Sequence, residues 1–247
     1  MHMIFRKLLI LAAAAALSVQ VFAASGAESP FHGKYDVRYK YGVINTKVAT
    51  ASYDWDASTW EKKDAYYTKV TIKTRPLFNL FLGSDYFLEL YNSAEGLSPL
   101  YFHYYFSDVD FKYRYRKAKG ITDCTITHKG KPEEHRTFTM DSMTMDIIAL
   151  LNHIRFCDFN ALKSPRDYNV LLSGQVFRAR VSYRGIDKKK FSGKNAVCVR
   201  FELPEAGLMA DGSGHEFLVW FSEGPEREVL GLEANLGKAY LTCFIKQ

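Results

Sequence analysis

Apolar and polar residues alternate with a period of two along nearly the whole chain, the pattern of strands that bury one face. Over residues 33–41, Tyr35, Val37, Tyr39 and Tyr41 share one face while Lys34, Asp36, Arg38 and Lys40 share the other, and Gly42 ends the run. A second strand is expected over 43–55, with Ala49, Ala51, Tyr53 and Trp55 on one side, then a polar turn region over 54–64 and a third strand over 66–74. The rhythm continues through 86–92, 100–106, 111–119, 121–128 and 135–139, and again from 168 to 246, punctuated by Gly and Pro. The spacing predicts about a dozen strands in a meander. One stretch differs. Over 139–159, Ile147, Leu150, Leu151 and Ile154 fall at helical spacing, Met143 and Ile148 extend the stripe, and Asp141 or Ser142 stands where a helix cap belongs. Asn152, His153 and Arg155 are expected on the opposite face. A helix with such a stripe must bury it, and the sheet offers the apolar surface. The fold expected is therefore mainly β: a single domain with a large curved antiparallel sheet or open barrel packed around one amphipathic helix.

The segment 75–84 interrupts the alternation. Pro76-Leu77-Phe78, Leu80-Phe81-Leu82 and Gly83 suit a short apolar helical turn, either a plug sealing the core or a flap over a ligand cavity. At the N-terminus, Arg6 and Lys7 precede an apolar core over 8–17 and the small-residue pattern Val21-Phe22-Ala23. That order of features is a signal peptide over 1–23, and its core is shorter than the ~20 residues that span a membrane. The mature domain is expected over 24–247, exported to the periplasm or outside the cell, with no transmembrane segment after the signal is removed.

The formal charge of +6 falls to +4 once the two signal cations are removed. An excess that mild gives no basis for a nucleic-acid partner. Four cysteines, at 124, 157, 198 and 243, allow three complete disulfide pairings, among which spacing does not choose. There is no C-x-x-C, no H-x-H and no H-E-x-x-H, so no metal site or cofactor is expected. No G-x-S-x-G elbow appears either. Asp85 and Glu89 with Asp36 or Glu202 offer carboxylates for acid–base chemistry, but charges on solvated strand faces account for them far better. No catalytic residue is assigned, and an uncharacterised hydrolase is the weakest of the readings kept.

Pairing of aromatic with basic faces carries more information. Phe111, Tyr113 and Tyr115 alternate with Lys112, Arg114 and Arg116, and similar runs occur at 35–41 and 177–184. An aromatic core under a basic solvent face explains this, as does an aromatic cavity for an acyl chain with a cation for its head group. Arg155 either complements the helix C-terminus or projects into the interior.

Several runs then resemble a known family. They are Tyr35-Asp36-Val37-Arg38-Tyr39-Lys40-Tyr41-Gly42, Asp85-Tyr86-Phe87-Leu88-Glu89-Leu90-Tyr91 leading to Leu97-Ser98-Pro99-Leu100, the helix from Asp146 to Arg155, Val219-Trp220-Phe221-Ser222, and Leu236-Gly237-Lys238-Ala239. Together they resemble the exported bacterial family catalogued as domain of unknown function 3108. The turn at 231–235 departs from it, lacking an expected proline. The resemblance implies an antiparallel β fold in the cell envelope and no catalytic residues. The leading expectation is non-enzymatic binding or carriage of a hydrophobic or lipid-like ligand, with Phe78, Leu80, Phe81, Ile147, Leu151 and Arg155 at the site. The alternative is a structural or assembly factor contacting another envelope protein.

Overall fold

The computed structural model describes residues 31–82, 85–95, 97–106, 109–141, 144–172, 174–188, 195–203, 215–223, 227–235 and 239–245. The signal segment expected over 1–23, and Ser142, Met143 and Gly83, lie outside them. The described strands are β1 (Phe31–Tyr41), β2 (Ile44–Trp60), β3 (Lys63–Thr74), β4 (Asp85–Ser93), β5 (Pro99–Phe106), β6 (Val109–Arg116), β7 (Ile121–His128) and β8 (Glu134–Thr139). They continue with β9 (Thr144–Asp146), β10 (Arg166–Leu172), β11 (Gln175–Asp187), β12 (Ala196–Leu203), β13 (His215–Ser222), β14 (Val229–Asn235) and β15 (Ala239–Ile245). Two α-helices are described, α1 (Pro76–Leu82) and α2 (Ile147–Phe156), and 3-10 turns cover Lys117–Lys119 and Phe159–Leu162.

All fifteen strands join one sheet, in the order β8-β7-β6-β5-β4-β3-β2-β1-β15-β14-β13-β12-β11-β10-β9. Two antiparallel meanders meet where β1 pairs with β15. The exception to antiparallel pairing is β9, which runs parallel to β10. This order dictates the shape. Laid flat, fifteen strands at ~4.8 Å spacing would separate the outer two by roughly 65–70 Å. Yet β8 and β9 are consecutive in the chain, and the step from Thr139 to Thr144 spans at most ~17–18 Å. The sheet must therefore curl until its ends face one another. Register shifts at Val37/Arg38, Tyr91/Asn92, Tyr183/Gly185 and Trp220/Phe221 supply local bends.

Alternation places the core on the concave side. On β6, Phe111, Tyr113 and Tyr115 are buried, whereas Arg114 and Arg116 are exposed. Cross-strand partners stack there, Phe102 on Tyr113 with centroids 5.8 Å apart and Tyr104 on Phe111 at 5.3 Å. Interior side chains of both meanders and of α2 belong to one apolar cluster. A smaller cluster of Ala196, Cys198, Trp220 and Leu230 is separate from it.

Three local expectations need correction. There are fifteen described strands rather than a dozen, β9 among them within the stretch read as helix. Residues 54–60 are not a turn region: β2 and β3 run on to a two-residue turn at Glu61 and Lys62, whose φ values of 50° and 67° are left-handed. Trp60 explains the extension, since it stacks on Tyr101 at 4.8 Å and against Tyr91 at 4.7 Å. Finally, Asp146 caps α2, not Asp141 or Ser142, because pairing of Thr144–Asp146 with β10 delays the helix. Asp141 instead anchors that strand, accepting from Thr144 Oγ1 and Asn169 Nδ2, both at 2.8 Å.

Candidate functional site

Asp146 starts the site. Its Oδ1 accepts from the backbone N–H of Ile148 at 3.0 Å and of Ala149 at 2.9 Å, satisfying two orphan donors of the first helical turn. Its Oδ2 accepts from the Tyr115 hydroxyl of β6 at 3.0 Å. Burial pushes the carboxyl up to about 6, with the hydrogen bonds from Ala149, Tyr115 and Ile148 opposing the rise only in part.

The helix that follows is buried almost all round. Ile147 to Asn152, Ile154 and Arg155 are all at or below 3% exposure, and His153 alone in this run is exposed. The expected polar face is therefore wrong for two of its three residues: Asn152 and Arg155 lie inside. Three positions apart, they occupy the same side of the helix. Neither the amide nitrogen nor the amide oxygen of Asn152 has a hydrogen-bond partner in the protein. Arg155 is completely buried, and its charge acts on the hydroxyl of Tyr35, on β1. That hydroxyl is also buried and unpartnered. Burial holds the Tyr35 phenol well above its ordinary range, Cys243 and Tyr53 add to the rise, and the Arg155 charge opposes it more strongly than the Glu228 carboxylate reinforces it.

Complementing the helix C-terminus falls to a different cation. Arg227, just before β14, donates Nη1 to the Arg155 carbonyl at 2.8 Å and to the Cys157 carbonyl. Its guanidinium lies 4.4 Å from the Phe159 ring centre. Sequence offered no signal for this, since Arg227 is 72 residues from Arg155.

Of the residues expected at a ligand site, Ile147, Leu151 and Arg155 come together on α2, and Phe78 of α1 is half-buried against the same core. Leu80 and Phe81 belong to α1, but their side chains lie outside the described residues. Asn152 and Tyr35 were missed because period-two and helical patterning read polarity, not which polar groups tertiary packing encloses.

Among the described residues, hydrogen bonds from side chains join the two ends of the sheet. Tyr113 Oη on β6 accepts from the Gly174 N–H in the β10–β11 turn at 2.7 Å, and Arg136 Nη1 on β8 donates to the Gly174 carbonyl at 3.0 Å. A Cβ at Gly174, where φ is +72°, would lie 2.8 Å from Ile126 Cδ1 of β7. Glycine lets the turn approach this closely. Among the described residues no backbone pairing links β8 with β9.

On the other face of the sheet the described carboxylates are paired with neighbouring side chains. Glu89 accepts from Tyr67 at 2.8 Å, and His103 lies between Glu89 and Asp110 at 3.4 Å and 2.6 Å. Asp36 pairs with Lys47, and Glu202 with Arg200, so these carboxylates are held by neighbouring cations. The side chain of Asp85 lies outside the described residues. No group of three His, Cys, Asp or Glu among the described residues could hold a metal ion. None of the four cysteines forms a disulfide.

The sequence model of the family described as "Protein of unknown function (DUF3108)" matches residues 34–242. The chain belongs to this family. No curated protein matches it in sequence. The crystal structure of a beta-barrel-like protein of domain of unknown function DUF1849 from Brucella abortus is similar to this DUF3108 member at a TM-score of 0.57 and 12% identity. That match covers 90% of this chain and 98% of the other. The structure of the Mycobacterium tuberculosis lipoprotein LppX aligns with 99% of the chain and 92% of its own, at 11% identity and a TM-score of 0.29. The first of these places the DUF3108 chain among barrel-like sheets; the second is too distant in shape to bear on it. No described helix is long and apolar enough to cross a membrane.

Proposed function

We propose that this protein is an exported, non-enzymatic binder or carrier of a hydrophobic or lipid-like molecule, which it takes up in the interior of its curved sheet, around α2. The observation carrying this reading is the seam. Among the described residues, a sheet of fifteen strands brings its ends together and joins them by the side chains of Tyr113, Tyr115 and Arg136 rather than by a backbone ladder. Side-chain hydrogen bonds, at ~1 kcal/mol net each, open at far less cost than a strand pair. The interior behind them is apolar, with Ile147, Leu151 and Phe78 at the core and Arg155 as its cation. Cleavage after Ala23 delivers the domain to the envelope.

Native mass spectrometry of protein purified from its exported compartment, followed by solvent extraction, tests this. A reproducible adduct of lipid-like mass is expected. A clean apo mass combined with failure to bind added fatty acid would overturn the proposal. A second reading, a structural or assembly factor, is favoured by one feature: β8 is exposed along most of its length and pairs on one side only among the described residues. Crosslinking in cells that repeatedly captures one envelope protein and no lipid is the result it expects.

A further inference from the structure

Buried polar groups without partners are costly, and a protein retains them where water or a ligand satisfies them. Asn152 and Tyr35 are such a pair, at 1% and 0% exposure, with both amide atoms of one and the hydroxyl of the other unpartnered. Neither is explained by packing, for apolar side chains would fill the interior without the penalty. Both belong to the neighbourhood of Arg155. Asn152 shares its helix face, and Tyr35 feels its charge. Arginine keeps its proton at any physiological pH, so Arg155 brings a guanidinium into the interior beside two uncommitted donors.

We infer that Asn152, Tyr35 and Arg155 form the polar end of the interior site and receive the oxyanion, carboxylate or phosphate, of an amphiphile whose chain lies along the apolar interior. This deepens the carrier reading and rests on it. The Asn152 amide and the Tyr35 hydroxyl each give one hydrogen bond to the oxyanion, and the Arg155 guanidinium supplies the charge that offsets the oxyanion's desolvation. A neutral amphiphile of equal chain length would leave the donors without a charged acceptor.

The test is binding of oleate, oleyl alcohol, acetate and inorganic phosphate to the purified protein, for the wild type, Asn152→Leu and Tyr35→Phe. Tyr35→Phe removes only the hydroxyl, and Asn152→Leu replaces the amide by a bulkier apolar group of the same branching, so a cooperative melting transition in each variant shows that it folds. The expected result is oleate bound at least about tenfold more tightly than oleyl alcohol by wild type, with each variant pulling that ratio toward one while leaving the alcohol unchanged. Equal binding of oleate and alcohol by wild type overturns the head-group site and leaves the carrier reading intact. Binding of neither overturns both. An unchanged ratio in both variants removes Asn152 and Tyr35 from the site. Displacement of oleate by acetate or phosphate at equal concentration overturns the amphiphile and makes the ligand a free anion.

Discussion

At the scale of single residues, Asp146 does most to define the interior, because it caps α2 and accepts the Tyr115 hydroxyl while fully buried. Its carboxyl is pushed up to about 6 by that burial, above the ~3.9 of an unfolded aspartate. The folded state therefore binds this proton more tightly than the unfolded state. Its contribution to stability is complete below about pH 4 and is lost as pH rises through about 6. Asparagine caps as well as aspartate and cannot titrate. Urea unfolding at a series of pH values should thus show the stability of wild type relative to Asp146→Asn falling between about pH 4 and 7. A flat difference across that window would mean that Asp146 does not titrate in its buried position. Asp146→Ala, by contrast, removes the cap and strands the Tyr115 hydroxyl, and should cost about 2–4 kcal/mol at pH 4, the cost shrinking as pH rises through about 6.

At the scale of elements, the β2–β3 hairpin shows packing overriding local preference. Its turn demands two left-handed residues, for which Asn-Gly is favoured, yet Glu61 and Lys62 occupy it. The aromatic contacts of Trp60 with Tyr91 and Tyr101 fix the register and impose the turn on unsuited residues. A left-handed lysine carries strain that glycine lacks. Lys62→Gly should raise stability by about 0.5–1 kcal/mol, the relief of strain exceeding the added unfolded-state entropy. A melting temperature unchanged or lowered in this variant would show that Lys62 is unstrained. The same hairpin explains why a turn region over 54–64 was the natural reading: Asp54, Asp56, Ser58 and Thr59 are polar because they flank a long, wet hairpin, not because the chain turns there.

At the scale of the whole molecule, closure depends on Gly174. Tyr113→Phe leaves the Gly174 N–H buried without its acceptor and should cost about 1–3 kcal/mol. Arg136→Ala removes the second bond but from a half-exposed side chain, and should cost less. Together they should speed amide exchange selectively in β8 and in the β10–β11 hairpin, with the β1–β15 centre of the sheet unaffected. Uniform acceleration across the sheet would instead mean that the seam does not open as a separate unit. The four thiols are distributed over this architecture in a way that spacing could not foretell. Cys124 and Cys243 belong to the main cluster on strands from different halves of the sheet, Cys198 belongs to the separate small cluster, and Cys157 ends α2.

The sequence by itself determined the class of the fold, the strand rhythm and the helix, because period-two and helical periodicity follow from which face each element buries. It placed Phe111, Tyr113 and Tyr115 inward and Ile147, Leu151 and Ile154 in the core. Family membership was also legible, carried by short runs such as 35–42 and 146–155 that the family match spans. Only the tertiary structure decided that β8 and β9 are opposite edges brought face to face, and that Asn152 and Arg155 turn inward. Only it decided that Arg227, not Arg155, holds the end of α2. The physical reason is common to all three. Patterning records the average polarity of a face, whereas closure of the sheet and enclosure of a polar group depend on partners that folding brings from distant segments, as it brings Arg227 to the carbonyl of Arg155 across 72 residues.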